Sequence, residues 1–204
     1  MEFNYKPHIT KLIDSGITPH SGDAIAFIQE TDIYVSKYGA NLAELSDDDF
    51  IVFPAGGEPQ SLDSELAELC TLLKPGKTAA FVKVSPRYSA SLAGVRTEVP
   101  AVLDDMAQIV GLSLRYSPDY KHVKRRMRTG RTCALLPDKS LLATGRTLDE
   151  AVIAALVAEK SARVFVQAQK IGGAKSLGLA DALLMRLVYK LKYSKKNIET
   201  HKES

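Results

Sequence analysis

The alternation of hydrophobic and polar residues divides the chain into short strands and longer amphipathic helices. Apolar runs and period-two alternation predict strands at 24–29, 32–36, 50–54, 80–84, 112–117, 133–137 and 141–145. Helical spacing, with capping residues in front and glycine or proline behind, predicts helices at 2–16, 64–73, 86–93, 99–110, 119–128 and 147–170, and a last one that carries Leu183, Leu184, Leu187, Val188 and Leu191. Hairpin-like pairs at 24–36 and 133–145 do not fit a purely parallel sheet. The pattern therefore predicts an α/β protein with a mixed, mostly antiparallel sheet covered by helices on both faces.

Length and composition place the chain among ordinary globular domains. With 204 residues, 45% hydrophobic and 25% charged, it is expected to form a single domain over 1–204, with a flexible tail at about 194–204. The net charge of +3 is too small to identify a partner. No stretch has the length of a signal peptide core or a membrane span, and Cys70 and Cys133 lie among apolar residues as buried thiols do. These features predict a cytoplasmic protein without a membrane partner.

The stretch from Ser61 to Tyr88 contains the most informative chemistry. An amphipathic helix begins at Ser64-Glu65, and a later strand runs directly into Ser85-Pro86, where serine is expected to cap a helix that begins with proline. A strand that ends at a helix start, beside a helix with a carboxylate in its first turn, is a common way to build a ligand site. An acid in the first turn also complements the helix dipole. Glu65 is therefore either a site residue or a helix-start residue.

Six ordered motifs resemble the class II aldolase/adducin domain family over roughly 10–171. Residues 20–23 are similar to the family's Ser-Gly-Asn loop, 36–39 to its Thr-Pro-Ser-Gly turn, 45–50 to its acidic turn and 63–65 to its Ser-Ser-Glu helix start. Residues 81–88 resemble its His-x-His-Ser-Pro-Tyr strand end, and 135–151 its Leu-Leu-x-Asn-His-Gly strand pair with the following helix start. No single motif is specific, but their order is.

The resemblance implies a three-layer α/β/α sandwich that is commonly assembled as a homotetramer. It implies zinc-dependent cleavage of a carbon–carbon bond in phosphorylated sugars, or a related epimerisation. In the family three histidines hold the metal, a glutamate transfers protons and serine-, asparagine- and glycine-containing loops bind phosphate. Adducins carry the same domain without catalysis.

Residue by residue, the resemblance assigns Glu65 to the acid–base position. It assigns ligand or phosphate binding to the loop residues Ser21, Gly22, Asp23, Ser36, Gly39 and Ser64. Alignment on Ser85-Pro86 places Val82 and Val84 at two histidine positions, and Lys139 falls at the third. Since valine has no lone pair, we expect no metal and no cofactor.

Two lysines lie at or next to the positions of the family's metal-binding histidines. In an extended strand Lys83 points away from the face that Val82 and Val84 share, so it is not expected to replace them. Lys139 either reaches the metal position near Glu65 and replaces the metal's charge, or lies in water on a hairpin turn. The sequence leaves both interpretations of Lys139 open.

Three functions follow from these assignments. The first is a metal-free member of the family that binds a small anionic or sugar-like ligand or acts as an interaction or regulatory protein. The second is a lyase or isomerase for a sugar-like, phosphorylated substrate, with Glu65 as acid or base and Lys139 in place of the metal. The third is a true metal enzyme that recruits Glu65, His20 and Asp23. A homotetramer is expected, whereas nucleic-acid binding is not, because the basic run at 121–131 lacks interleaved aromatic residues.

Overall fold

The computed structural model describes residues 4–57 and 62–200, with side chains through residue 189. The strands are β1 (Ala24–Gln29), β2 (Asp32–Ser36), β3 (Phe50–Pro54), β4 (Ala80–Val84), β5 (Val99–Pro100), β6 (Ser113–Leu114), β7 (Cys133–Leu135) and β8 (Leu141–Gly145). The α-helices are α1 (Lys6–Asp14), α2 (Ser64–Cys70), α3 (Arg87–Gly94), α4 (Tyr120–Arg128), α5 (Leu148–Gln169) and α6 (Leu179–Thr200). The predicted hairpin β1–β2 and strand pair β7–β8 are confirmed.

The main sheet has six strands in the order β3-β2-β1-β4-β8-β7, and β5 and β6 form a separate two-stranded pair. The predicted antiparallel character of the main sheet is confirmed, and it extends to each neighbouring pair of strands. Short connections join β1 to β2 and β7 to β8, as a tight turn suffices between antiparallel neighbours. Strand β4 lies near the middle of the sheet, between β1 and β8.

Helices cover both faces of the sheet, as predicted for a three-layer sandwich. On one face Ile25, Val82 and Val84 pack in a cluster with buried residues of α1, α3 and α5. On the other face Ala24, Phe81 and Leu142 pack in a second cluster with Leu66, Leu69 and Cys70 of α2 and Val123 of α4. Successive residues of β4 therefore enter different clusters, which is the alternation expected of a strand buried on both sides.

The segment from 99 to 117 differs from the prediction. Helical spacing predicts one helix over 99–110, but Val99–Pro100 is a strand and only Met106–Val110 forms a helical segment, of the wide π type. Pro100 explains the difference, because a proline disfavours helical backbone at the residue before it. The predicted strand at 112–117 is reduced to Ser113–Leu114, which pairs with Val99–Pro100.

Carboxylates cap both α4 and α3, so the serine cap predicted for α3 is wrong. Asp119 caps α4, and its carboxylate accepts a hydrogen bond from the backbone N–H of His122 at 2.8 Å. At the start of α3, Pro86 occupies the cap position and the Ser85 hydroxyl points elsewhere. The carboxylate that caps α3 comes from Glu159 on α5, and it accepts hydrogen bonds from the N–H groups of Tyr88 and Ser89 at 2.8 Å and from the Ser89 hydroxyl at 2.7 Å.

We expect Glu159→Gln to lower the free energy of unfolding by about 1 to 2 kcal/mol. The amide keeps one acceptor but loses the charge that favours a helix N-terminus, and its NH₂ group meets donors. Urea denaturation measures the change. Glu44→Gln, at an exposed glutamate, is the matched control and should change stability by less than about 0.5 kcal/mol. Equal effects of the two substitutions would show that Glu159 is not a structural cap.

The remaining features concern the cysteines and the C-terminal helix. Cys70 and Cys133 are buried and unpaired, as predicted, and burial raises the pKa of each thiol to about 12. Helix α6 continues to Thr200, and the part of the predicted flexible tail at 201–204 lies outside the described residues. Within the described ranges, no helix combines the length and apolarity needed to cross a membrane.

Candidate functional site

A buried lysine lies at the centre of the candidate site. The side chain of Lys83 is only 4% exposed, and its ammonium nitrogen Nζ is 3.0 Å from Glu65 Oε1 and 2.7 Å from Asp138 Oδ2. It also donates a hydrogen bond to the backbone carbonyl of Gly22 at 3.0 Å. Three oxygens thus lie within hydrogen-bonding distance of a group that has three N–H donors. The ammonium is fully occupied by these oxygens.

The register of β4 brings Lys83 to this position. Lys83 pairs with Ala24 of β1 and Leu142 of β8, and all three residues belong to the sheet face that α2 covers. Val82 and Val84 lie on the opposite face and pack against α5, so the prediction that they occupy the metal positions beside Glu65 is wrong. The face with Glu65 carries Lys83 instead. A shift of one residue exchanges the faces of a strand, which is why the alignment on Ser85-Pro86 failed.

The two carboxylates that contact Lys83 are positioned by different local structures. Asp138 Oδ1 accepts hydrogen bonds from the Ser140 hydroxyl at 2.6 Å and from its N–H at 3.0 Å. Glu65 lies in the first turn of α2, and the Asp63 cap accepts a hydrogen bond from its backbone N–H at 2.9 Å. Glu65 Oε1 is buried and, apart from the ammonium, has no hydrogen-bond partner among the described residues.

The loop before β1 closes the site on a second side. Asp23 is buried, and its carboxylate accepts hydrogen bonds from the backbone N–H of His20 at 2.9 Å and from the Ser85 hydroxyl at 3.1 Å. Gly22 has a φ of 97°, a left-handed conformation that glycine adopts easily, and this turns its carbonyl toward Lys83. Ser85 follows Lys83 by two residues and points to the same face.

The ionisable groups respond to burial and to one another. Burial disfavours the charge of Lys83, but the carboxylates of Asp138 and Glu65 outweigh it and raise the pKa of the lysine. Burial also acts on Asp138, where the hydrogen bonds and charge of Lys83 and Ser140 prevail and lower the pKa of that carboxyl. For Asp23 burial prevails, and its pKa is raised. The pKa of Tyr120 is raised by burial and by its hydrogen bond to Glu65.

Lys139 does not form the predicted pair with Glu65. It lies exposed in the turn between β7 and β8 with a φ of 70°, and its aliphatic stem lies beside Gly94 at the end of α3. Its N–H donates to the carbonyl of Leu136 at 3.2 Å. Of the two interpretations left open by the sequence, the turn lysine is the one observed. Its neighbour Asp138 takes part in the site instead.

The residues predicted to bind phosphate lie in different environments. Gly22 and Asp23 adjoin Lys83 as described, whereas Ser36 is fully buried, and its hydroxyl accepts a hydrogen bond from the N–H of Ile25 at 3.1 Å. Ser21, Gly39 and Ser64 are exposed. Phosphate binding by these positions stays a prediction.

The donor set does not suit the zinc ion that the resemblance implies. A zinc site needs about three N, S or O ligands around one point. No group of three or more histidine, cysteine, aspartate or glutamate side chains with such an arrangement occurs in the described ranges, including His20, Asp23 and Glu65. The point between Glu65 and Asp138 is filled by the Lys83 ammonium. The residues therefore supply a fixed cation of their own.

From the sequence we set Lys83 aside because it faces away from Val82 and Val84, and we gave Asp138, Tyr120 and Ser85 no role in the site. The signal that identifies Lys83 is its place as the only charged residue in the run from Ala79 to Val84 of a strand buried on both faces. A lysine in such a strand must find acceptors, since an unpaired buried charge costs several kcal/mol. Tyr120 and Asp138 had no equivalent signal, because helix α4 and the β7–β8 turn approach the site only in three dimensions.

The comparisons with known proteins agree with this architecture. The model of the Class II Aldolase and Adducin N-terminal domain matches residues 9–166. The chain belongs to this family. No curated protein matches the sequence.

Similar solved structures include sugar-phosphate aldolases. An L-fuculose 1-phosphate aldolase is 20% identical, with 93% of this chain and 98% of that chain covered at a TM-score of 0.77. YgbL from Escherichia coli is 15% identical over 89% and 95% at 0.73, and the L-fuculose-1-phosphate aldolase from Thermus thermophilus is 16% identical over 85% and 96% at 0.69. At these identities the structural similarity establishes the fold alone. Any statement about the chemistry of this chain rests on its own site residues.

Proposed function

We propose that this protein is a class II aldolase-like protein without metal-dependent activity, acting as a small-ligand-binding or interaction protein. The observation that carries the proposal is the Lys83 ammonium, which lies between Glu65 and Asp138 with three oxygens within 3.0 Å of its nitrogen. A metal ion in the same position would meet the positive charge of Lys83. A protonated lysine has neither a vacant coordination position nor a bound water to activate.

The charge of this cluster bears on the class of ligand. Two carboxylates surround one ammonium, so the cluster carries a net negative charge, and Asp23 adds a third carboxyl group nearby. A phosphate placed here would be repelled. Of the anionic and sugar-like ligands that we predicted, the cluster favours the neutral polyol, whose hydroxyl groups donate hydrogen bonds to the exposed part of the Asp138 and Glu65 carboxylates.

The second candidate is a lyase or isomerase that acts without a metal. It is favoured by the position of the Glu65 carboxylate, whose Oε1 is 3.0 Å from the fixed Lys83 cation. Glu65 is the acid or base in this candidate, as the sequence predicts. Lys83 takes the electrostatic role that we assigned to Lys139.

One assay distinguishes these candidates. Purified protein is incubated with a panel of ketose and aldose 1-phosphates, with and without a chelator, beside Glu65→Gln. We expect no turnover above the level of Glu65→Gln. A turnover that the chelator leaves unchanged and that Glu65→Gln abolishes establishes the second candidate. A turnover that the chelator abolishes overturns both. Glu68→Gln, at an exposed glutamate of α2, is the matched control and should behave as the unmodified protein.

A homotetramer and a cytoplasmic location belong to the same proposal. The exposed apolar residues Leu183, Leu184, Leu187 and Val188 of α6, each about half exposed or more, support burial by another subunit. The unpaired buried cysteines suit a reducing compartment. Multi-angle light scattering measures the assembly, and a monomer at micromolar concentration would reject the tetramer.

A further inference from the structure

Several arginines lie at the end of α4 and in the segments beside it, with fewer carboxylates than arginines among them. Arg115 follows β6, Arg126 lies in the last turn of α4 and Arg131 follows that helix. The segments that carry Arg115 and Arg131 lie side by side, since the Arg115 carbonyl accepts a hydrogen bond from the N–H of Leu135 at 2.9 Å and the Val110 carbonyl accepts one from the N–H of Thr132 at 3.4 Å. The charges of Arg115 and Arg131 act on Arg126. Glu98 is the carboxylate in this group, and it forms an ion pair with Arg115. Three guanidinium groups thus share one acid.

Two of these guanidinium groups lack partners in the described part of the chain. Nη1 of Arg126 is buried and has no hydrogen-bond partner there. Arg131 makes no hydrogen bond or ion pair with the described residues, although it lies next to Arg186 beside Gly111. Arg186 differs, because it donates to the backbone carbonyls of Ala107 and Gly130. The unsatisfied donors therefore belong to Arg126 and Arg131.

The energetic situation of this cluster is unfavourable without a counter-ion. Burial, followed by the charges of the neighbouring arginines, lowers the pKa of Arg126 and of Arg131. A buried donor without a partner is destabilising, and more so when it is charged. Planar guanidinium groups match the oxygens of phosphate and carboxylate in bidentate geometry. An oxyanion would satisfy the free donors and offset the repulsion.

We propose that Arg115, Arg126 and Arg131 form a binding site for a compact oxyanion of the phosphate class. This site is separate from the Lys83 cluster, where a net negative charge disfavours such an anion. A compact anion fits better than nucleic acid because Arg126 and Arg131 are partly buried and the free Nη1 of Arg126 is itself buried. Nucleic acid is bound by extended exposed basic surfaces with aromatic residues on which bases stack.

The first measurement is the thermal unfolding of the full chain with inorganic phosphate or with sodium chloride at equal ionic strength. At equal ionic strength, both salts screen the repulsion between the arginines to the same extent. We expect phosphate to raise the melting temperature by roughly 3 to 6 °C more than chloride at ten times its dissociation constant. Equal shifts in phosphate and chloride would overturn the proposal.

The second measurement assigns the effect to the cluster. Arg126→Gln and Arg131→Gln should each weaken phosphate binding about tenfold in isothermal titration calorimetry. Arg128→Gln, at an exposed arginine of the same helix turn, is the matched control and should change the affinity less than about twofold. Circular dichroism verifies that each variant is folded. Unchanged affinity in both cluster variants would overturn the site.

A single-stranded oligonucleotide serves as the competing probe. We expect the oligonucleotide to bind no more tightly per phosphate group than inorganic phosphate does. Tighter binding of the oligonucleotide that Arg128→Gln weakens as much as Arg126→Gln would replace the compact site by an extended polyanion surface. That result would overturn the proposal.

Discussion

Lys83→Met is expected to lower the free energy of unfolding by about 2 to 4 kcal/mol and the melting temperature by roughly 5 to 15 °C. Methionine preserves most of the aliphatic volume of the side chain but removes the ammonium. Glu65 Oε1 is then buried without a partner, and Asp138 loses its ion pair. The side chains of Glu65 and Asp138 are 26% and 38% exposed, so water recovers part of the loss and the expected value lies below that of a fully buried pair.

The matched control for this prediction is Lys160→Met. Lys160 contacts Asp105 at 2.7 Å, the same distance as in the pair of Lys83 with Asp138, but its side chain is 52% exposed. Its replacement should therefore cost less than about 1 kcal/mol. Chemical denaturation of both variants gives the comparison. If the two losses were equal, the Lys83 cluster would contribute no more than a surface ion pair.

The double substitution Lys83→His with Ser85→His should create a zinc site. Both positions point to the face that Glu65 occupies, and the family's His-x-His motif has the same spacing of two residues. Two imidazoles near Glu65 and Asp138 supply the three or four ligands that zinc requires. We expect the double variant to retain about one zinc ion per chain after gel filtration, measured by elemental analysis, and to unfold at a higher temperature with zinc than without it.

The control for the zinc site uses the neighbouring pair, Val82→His with Val84→His. These side chains are buried on the other face of the sheet, at 0% and 1% exposure, so their imidazoles would lie in the α1, α3 and α5 core. Each unpaired polar group there costs about 1 to 3 kcal/mol. We expect this variant to be strongly destabilised and to bind no stoichiometric zinc. Zinc retained by the valine pair and not by the Lys83 and Ser85 pair would reverse the assignment of the two faces.

Local sequence signals predicted most of the fold. The hairpin β1–β2 follows from two β-rich runs separated by two residues, and α5 follows from its cap, in which Thr147 accepts a hydrogen bond from the N–H of Glu150. Such signals act over a few residues and can be recognised without tertiary context. The errors at 99–117 arose where Pro100 and long-range pairing overrode helical spacing.

The candidate site was predicted only in part. Glu65 was identified through the family motif, but the choice of its cation depended on which face of β4 meets α2. Alignment on Ser85-Pro86 placed the family's histidine positions one residue away from the face that meets α2. Because neighbouring residues of a strand face opposite sides of the sheet, this shift selected Val82 and Val84 in place of Lys83. Asp138 was overlooked beside Lys139 because a turn residue's direction depends on local φ values, such as the 70° of Lys139.

The central proposal is that the Lys83 ammonium replaces the metal ion of a class II aldolase site, and metal analysis of the unmodified protein tests it most directly. The protein is purified without chelator, equilibrated with excess zinc, passed through gel filtration and analysed for zinc beside Glu65→Gln. We predict far less than one zinc ion per chain, with no difference between the two proteins. About one zinc ion per chain, lost in Glu65→Gln, would contradict the proposal.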